Sequence, residues 1–519
     1  MKKLITLLLS LSLILSAAAC TTGGGEGTQA AGGEGGEGGG SDKDTVVYAF
    51  PNDPETFGPM KTPKSGYSEI TFQVYDSLFV YDTEGNFIPM VCTEVEQVDG
   101  THYLLHLRDD VTFSDGHKLV AEDVVYTLKM YYEDSNSNTW VKYVDVEATN
   151  AVDDTTVELV LTEEYAFAVS TLSNVNLFYQ EAYEASADGM VTTPIGSGPY
   201  VLKEYVAGSY ALFEGRDDYW GGAPAIKNLR VMFIKEASQR TTALQTGEVD
   251  CAYDVLPSDY DSLLAEGFQG RELFGDRSMN LMFNCSENSV CADPRVRQAI
   301  AYATDNAGII QAAYGGFGEA CVTCCANGMV DLGDMYQPED YYNYNTETAK
   351  QLFQEAGIAE GTHISLMVRS GDAAMTTSAE ILQQALQSIG MNAEIMQVEA
   401  AVYDDTQKDH TAGWDVSFNT MNTAGSMSAL DLINLYCYII PNLAYTNEED
   451  AALSAQAVSS TDEQFIKDAT YQLSQTVCED VPYYSILSTS TLLVYSADLN
   501  EVIPTRVTTV RGTTFSWKE

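Results

Sequence analysis

The amino-acid sequence predicts an α/β protein built from at least two lobes. Its 519 residues exceed the roughly 250–300 that one hydrophobic core organises. A hydrophobic content of 45% is ordinary for a globular protein and argues against wholesale disorder. Residues 364–398 also follow a strand–helix–strand order, and such a unit places two parallel strands under a covering helix.

The first twenty residues have the pattern of an export signal. Lys2 and Lys3 precede an apolar run over residues 4–19 that is too short to span a hydrocarbon core of about 30 Å comfortably. The run ends in AAAC, which resembles a bacterial lipobox, although Ala17 replaces the usual Leu. An ordinary signal peptide that happens to end near a cysteine is the alternative. We expect residues 1–19 to be removed and Cys20 to carry the lipid.

Residues 20–42 are predicted to be a tether. They are rich in glycine punctuated by glutamate, a composition that behaves as a flexible coil. About twenty such residues reach roughly 25 Å, enough to hold a folded body away from a membrane. No later stretch of the sequence is long and apolar enough to predict a transmembrane helix.

The net charge of −49 excludes several classes of partner. Loss of Lys2 and Lys3 with the signal would make it −51. Nucleic acids and anionic membrane surfaces both require a basic face, so neither is expected as a partner. The acidic surface is best explained by solubility and repulsion between neighbouring molecules.

Periodicity predicts the first elements of the body. Tyr103, Leu105 and Leu107 alternate with polar or less apolar neighbours, which is typical of a strand. Residues 156–161 alternate in the same way. A helix should open at the acidic first turn of residues 121–123. Its apolar face would consist of Val124, Val125, Leu128, Tyr131 and Tyr132.

Later elements have clear start and stop signals. Asp293 and Pro294 form a helix start, because Asp can cap and Pro fits the first turn, and Gly315 and Gly316 close that segment. In the βαβ unit, Ile364, Leu366 and Val368 form the first strand. A helix ending at Gly390 follows, and the second strand begins near Ala393.

The cysteine pattern leaves several chemistries open. Nine cysteines remain after Cys20, and an odd number leaves at least one free thiol or an intermolecular bond. The densest group is CVTCC at residues 321–325. It could hold a disulfide or free loop thiols, bind zinc together with Cys285 and Cys291, or act in redox chemistry.

Nothing in the sequence predicts an enzyme. It lacks a GxSxG elbow, an HExxH zinc motif and a phosphate-binding glycine loop. Only five histidines occur, and His102 and His106 on one strand face are best explained as exposed polar residues. No catalytic residue, cofactor or metal site is therefore assigned.

Seven short motifs, in order along the body, carry a family resemblance. Together they resemble the bacterial extracellular solute-binding proteins of family 5, which serve peptide and nickel importers, over residue 45 to the end of the sequence. Most of the motifs have turn and cap chemistry and should shape the fold rather than touch ligand. They are NDPET at 52–56, VYDSL at 74–78, FSDGH at 113–117 leading to AEDV at 121–124, PIGSGPY at 194–200, DYWGG at 218–222, LQTGEVD at 244–250, and FN at 283–284 followed by RVRQAIAYA at 295–303.

The resemblance implies a two-lobed α/β fold of the periplasmic-binding-protein type (type II, cluster C) with a subdomain added to the first lobe. Lobe one would take residues 43–72, 188–270 and 481–519, the subdomain residues 73–187, and lobe two residues 271–480. The lobes would close over a ligand by hinge bending. The expected partners are a small-molecule ligand, an ABC permease and its ATPases. A monomer, held at the outer face of the cell membrane only by its lipid, is expected.

The resemblance also implies where ligand binds. In peptide-binding members a carboxylate holds the amino terminus of an extended peptide. Its position, counted from the predicted strand at residues 415–418, falls here on Ala424, which cannot carry that charge. Asp431 is the nearest replacement, with an N-cap of the following helix as its alternative role. The cleft would be lined by Asn419, Thr420, Met421, Asn422 and Thr423, and by the loop at residues 58–68.

The predicted function is capture of oligopeptides or dipeptides for import. A nickel or other metal chelate is an alternative, against which the low histidine count weighs. A neutral oligosaccharide is another, favoured by Ala424. A sensor or adhesin on the same fold is the alternative from a different functional class.

Overall fold

The computed structural model describes residues 44–60, 67–82, 86–329, 331, 341–422, 426–504 and 508–519. These residues form one compact unit. None of the helices in this part of the chain has the length and hydropathy that spanning a bilayer demands. The predicted signal, Cys20 and the glycine-rich tether lie outside the described residues.

Strands and helices are numbered separately along the chain. The strands are β1 Thr45–Phe50, β2 Phe79–Tyr81, β3 Phe87–Pro89, β4 Cys92–Gln97, β5 His102–Leu107, β6 Asn150–Asp153, β7 Thr156–Val160, β8 Tyr200–Val206, β9 Tyr210–Gly215, β10 Asn228–Phe233, β11 Cys251–Tyr253, β12 Gln269–Phe283, β13 Glu319–Ala320, β14 His363–Arg369, β15 Asn392–Val398, β16 Val416–Met421 and β17 Tyr483–Tyr495. The α-helices are α1 Tyr67–Thr71, α2 Ala121–Glu133, α3 Gln180–Ala185, α4 Ala237–Gln245, α5 Pro257–Ala265, α6 Pro294–Ala303, α7 Asn306–Ala313, α8 Thr346–Glu355, α9 Ala373–Ser388, α10 Tyr403–Lys408, α11 Ala429–Ile433, α12 Glu448–Val458 and α13 Glu463–Asp480.

One long sheet runs through the molecule. Its strand order is β15-β14-β16-β12-β17-β11-β1-β10-β9-β8, with β13 paired to β17 at the side. The two longest strands, β12 and β17, are antiparallel neighbours at its centre, and their register shifts between Phe274 and Ser278. Irregularities of this kind favour a local bend in a strand pair.

The predicted βαβ unit is confirmed. β14 and β15 are parallel with Ile364 opposite Ala393, and α9 connects them. β16 is parallel to β14 on the other side. The carboxyl ends of β14, β15 and β16 therefore lie at one edge, where open α/β sheets bind ligands.

Separate hydrophobic clusters pack against the sheet and beside it. The cluster on α6, α9 and β14 includes Ile300, Leu366 and Leu382. A second cluster joins β1 and β10 with residues near the end of the sequence, such as Phe515. A third lies within residues 78–190, where α2 covers the four-stranded sheet β4-β5-β7-β6.

Two of the predicted helices differ from expectation in detail. In α2, Tyr132 is 44% exposed instead of lying on the buried face with Val124, Leu128 and Tyr131. The run that begins at Asp293 is two helices, because α6 ends before Thr304 and α7 begins at Asn306. Asp293 itself caps α6 as predicted, accepting the Arg295 N–H at 2.9 Å.

Several sequence motifs meet in the core and fix the backbone there. The Gly198 N–H donates to the Val74 carbonyl at 2.7 Å, and a Cβ at Gly196 would lie 2.1 Å from that same oxygen. This close approach requires glycine. Two residues after Val74, the Asp76 carboxylate accepts hydrogen bonds from the Trp220 indole at 2.8 Å and from the Arg511 guanidinium at 2.7 Å.

Candidate functional site

Residues of the 78–190 region meet residues 426–458 along a line that we call the seam. The Tyr81 hydroxyl donates to the Ser426 carbonyl at 2.9 Å. The Ala166 N–H donates to the Val458 carbonyl at 2.8 Å. Phe167 packs against the hydrophobic cluster around α11, α12 and α13. The seam thus joins two parts of the chain that are far apart in sequence.

The four predicted lining residues at the end of β16 have different environments. The Asn419 side-chain amide donates to the side-chain oxygen Oε1 of Gln407 at 3.3 Å. Thr420 is exposed and Asn422 is half-buried. Met421 is 0% exposed and packs in the cluster around α11 and α13. Their contact with ligand stays a prediction.

Two predicted features fall outside the described residues. Thr423 and Ala424, the position of the missing carboxylate, lie in the gap at 423–425. Residues 61–66 of the predicted cleft wall at 58–68 lie in another gap.

Asp431 stands in the first turn of α11, immediately beside the seam. The alternative role of N-cap is wrong, because Ser428 caps this helix: its backbone is extended and its Oγ accepts the Asp431 N–H at 3.2 Å. Asp431 is the third residue of the helix, and it takes part in this cap through its backbone N–H.

A second carboxylate, which sequence analysis missed, lies at the same helix terminus. Asp331 accepts the Ser428 hydroxyl at 2.6 Å, the Ala429 N–H at 2.6 Å and the Leu430 N–H at 3.1 Å. These bonds satisfy amides that a helix start leaves open and place a negative charge where the helix dipole favours one. No local pattern could have indicated this contact, because 97 positions separate Asp331 from Ser428.

The electrostatics of Asp431 are those of an uncompensated acid. Burial, and then the negative charge of Asp331, raise the pKa of its carboxyl, while a hydrogen bond from Ser426 opposes them. Among the described residues, none of the groups acting on this carboxyl is a cation. Tyr165 lies close enough that, after burial, the Asp431 charge raises the pKa of its phenol as well. A carboxyl whose pKa is raised by burial and by a neighbouring acid is a candidate for a binding-site residue.

A cation missed by sequence analysis ends β14. Arg369 lies at the carboxyl edge that β14 shares with β16. Its guanidinium stacks over the Tyr403 ring at 4.8 Å and makes only a 3.5 Å contact with Asp404. The side chain is 33% exposed. An arginine at the carboxyl end of the first strand of a βαβ unit was visible in the sequence and could have been selected by the rule that ligands bind at this edge.

The cysteines provide no metal centre within the described residues. No group of three or more His, Cys, Asp or Glu side chains there has the arrangement to hold a metal ion. Cys285, Cys291 and Cys321 belong to the cluster around α6 and β14, whereas Cys324 and Cys325 belong to the cluster around α13. The nine cysteines of this part of the chain are all unbridged.

Comparison with known proteins gives a consistent result. The family model for bacterial extracellular solute-binding proteins, family 5 Middle, matches residues 86–435. The dipeptide-binding protein of Escherichia coli (strain K12) is 28% identical over 408 residues, which are 70% of this chain and 74% of that protein. The oligopeptide-binding protein AppA of Bacillus subtilis (strain 168) is 24% identical over 531 residues, 93% of each chain.

A solved structure supports the same fold. The ABC transporter substrate-binding protein CtaP of Listeria monocytogenes superimposes with a TM-score of 0.82 at 23% sequence identity, covering 92% of this chain and 100% of that one. This confirms the predicted fold class, an α/β protein with the two-lobed architecture of type II periplasmic binding proteins.

Proposed function

Because the chain belongs to the bacterial extracellular solute-binding proteins of family 5, we propose that it captures short peptides outside the cell and delivers them to an ABC importer. The family consists of solute-binding proteins rather than enzymes, and its members bind small ligands and deliver them to ABC permeases. Two relatives are named for dipeptide and oligopeptide binding, and peptide is accordingly the ligand class of the proposal.

The observation that carries the proposal is the uncompensated carboxyl of Asp431 beside the seam. Burying a carboxylate without a cation beside it is unfavourable, and an ammonium group would relieve that cost. The free amino terminus of a peptide is such a group. Asp431 would then replace the charge that Ala424 cannot provide.

Other residues have supporting roles in the proposal. Asn419, Thr420 and Asn422 would offer amide and hydroxyl groups to the peptide backbone, and Met421 would border the cleft through its main chain. Arg369 lies at the same sheet edge. It would pair with the carboxy-terminal carboxylate of the peptide, because a guanidinium forms bidentate hydrogen bonds with a carboxylate.

The division into lobes is part of the same proposal. Lobe one comprises residues 43–72, 188–270 and 481–519, the subdomain residues 73–187 and lobe two residues 271–480. The register shift between β12 and β17 near Phe274 is the proposed hinge. Ligand would favour the state in which the seam is formed, and the permease would recognise that state.

Attachment to the cell completes the proposal. Export by the signal at residues 1–19 and lipidation of Cys20 would leave the body on the outer face of the membrane as a tethered monomer. A single acyl chain binds a bilayer only marginally, so a lipid group with several chains is expected.

The test is identification of the ligand, followed by a change to its amine. Mass spectrometry of material released on denaturing the purified protein should show short peptides. Calorimetry with one of them and with its N-acetylated form should show loss of about 2–5 kcal/mol of binding free energy on acetylation. Release of a sugar or a metal chelate, or equal affinity for both peptide forms, would contradict the proposal.

A further inference from the structure

Three thiols come together between the segment at 321–329 and helix α13. The Cys324 and Cys325 sulfurs are 3.7 Å apart. The Cys324 sulfur also lies 4.0 Å from the Ser474 carbonyl, one helical turn before Cys478, and Cys478 packs against the same hydrophobic cluster as Cys324 and Cys325. Cys324 and Cys325 are buried and Cys478 is half-buried.

The surrounding hydrogen bonds hold Cys324 in this position. Its carbonyl accepts the Ser485 hydroxyl at 2.8 Å, and the Asn327 N–H donates to the Ser488 hydroxyl oxygen at 2.7 Å. Both serines belong to β17, so hydrogen bonds to a central strand hold the segment at Cys324 and at Asn327. Cys321 lies 3.7 Å from the Ser488 hydroxyl and packs in the other cluster, which separates it from Cys324 despite the CxxC spacing.

We propose that Cys324 and Cys478 form a disulfide when the protein meets a small-molecule disulfide such as oxidised glutathione. One thiolate attacks the oxidant, giving a mixed disulfide and releasing one glutathione thiol. The other thiolate then attacks the mixed disulfide and releases the second, so the protein loses two electrons and two protons and the oxidant gains them. Cys478, the more exposed of the two, is the site of first attack.

Geometry favours Cys478 over Cys325 as the partner of Cys324. Adjacent residues joined by a trans peptide have Cα atoms about 3.8 Å apart, below the roughly 4.4–6.8 Å of ordinary disulfides. Cys478 has no such restriction. Export, which belongs to the proposed function, would bring the chain to an oxidising compartment, but the disulfide can be tested on purified protein whatever its ligand.

The bond would act on the seam from a distance. The segment that holds Cys324 continues to Asp331, the carboxylate that caps α11 beside Asp431. α13 packs against α11 in the same cluster. A covalent link between the segment and α13 would therefore restrict the movement of Asp331 relative to the turn that presents Asp431.

The experiment oxidises the full purified chain with oxidised glutathione, alkylates the remaining thiols and maps linked peptides under non-reducing conditions. The expected result is one cross-linked pair containing Cys324 and Cys478, with an upward shift in melting temperature that dithiothreitol reverses. Cys437→Ser is the matched control, because Cys437 is buried in the same cluster, and it should keep both the link and the shift.

Cys478→Ser should lose both, and Cys325→Ser should keep both. A Cys324–Cys325 link, a link through Cys437, or complete alkylation of Cys324 and Cys478 after oxidation would overturn the proposal. Circular dichroism of each variant separates loss of the link from loss of folding. None of these outcomes depends on the peptide test, so failure of this inference and failure of the proposed function are distinguishable.

Discussion

Arg511 and Asp76 form an ion pair at 2.7 Å although the two side chains are only 3% and 0% exposed. The Asp76 carboxylate is further bonded by Tyr219 at 3.2 Å and Trp220 at 2.8 Å, and the Arg511 guanidinium lies over the Phe72 ring at 4.1 Å. The motifs at 74–78 and 218–222 are thus joined to Arg511 by one buried ion pair.

Arg511→Met should therefore destabilise the protein by about 3–5 kcal/mol, because it leaves Asp76 buried without a cation. Urea unfolding followed by fluorescence measures the change. Arg271→Met is the control: its pair with Glu501 is largely exposed, so its loss should cost less than about 1 kcal/mol. Equal effects of the two substitutions would contradict the assigned role of burial.

Asp431→Asn should separate binding from stability. We expect weaker peptide binding by about 2–5 kcal/mol, since the ammonium loses its counter-charge. The same substitution should raise the free energy of unfolding by about 0.5–2 kcal/mol, because it removes an uncompensated buried charge at nearly constant volume. Calorimetry and urea unfolding give the two quantities. A variant that loses stability and keeps its affinity would remove Asp431 from the binding site.

The raised pKa of Asp431 predicts opposite pH effects on the same two quantities. The folded state holds this proton more tightly than the unfolded state, so the contribution of Asp431 to stability increases as pH falls from the raised pKa towards the ordinary value. Peptide affinity should decrease over the same interval, because the protonated carboxyl cannot pair with an ammonium. Calorimetry between about pH 7 and about pH 4 tests this. The pH-dependent loss of affinity should be absent in Asp431→Asn.

Phe167→Ala should weaken closure of the seam. The ring packs across the seam into the cluster around α11, α12 and α13, so opening must expose it to water. We expect about tenfold weaker peptide binding, from loss of roughly 1.4 kcal/mol of closure energy, and a larger radius of gyration in small-angle scattering. Tyr132→Ala, at an aromatic side chain that is 44% exposed, should change neither. A peptide affinity unchanged in Phe167→Ala would exclude the seam from ligand binding.

Local signals in the sequence were sufficient for much of the fold. The βαβ unit, the cap at Asp293 and the alternation in β5 depend on neighbours within one or two turns. Tyr132 was misassigned because hydropathy alone does not tell which edge of an apolar face is covered. Ser428 could also have been identified as the N-cap of α11, because a serine followed three residues later by an acid is the capping-box pattern of helix N-termini.

The environment of the candidate site could not be predicted in this way. Asp431 was selected by its nearness to Ala424, but its raised pKa depends on burial and on Asp331, which is far away in sequence. The contact of Tyr81 with Ser426 spans 345 positions. Such contacts depend on how the sheet and its hydrophobic clusters fold together. No short sequence pattern indicates them.

The Arg511–Asp76 pair has a consequence for biogenesis, since 435 positions separate its two members. The cluster around β1 likewise needs Leu493 from β17 and Phe515. Under the proposed export, a chain that passes through a secretion channel with its first residues leading would not complete this core until almost all of it has emerged. Contacts between residues so far apart in sequence slow folding, which would keep the precursor unfolded and competent for translocation. The edges of β1 would meanwhile stay exposed and would need chaperones until the last segments of the core are present.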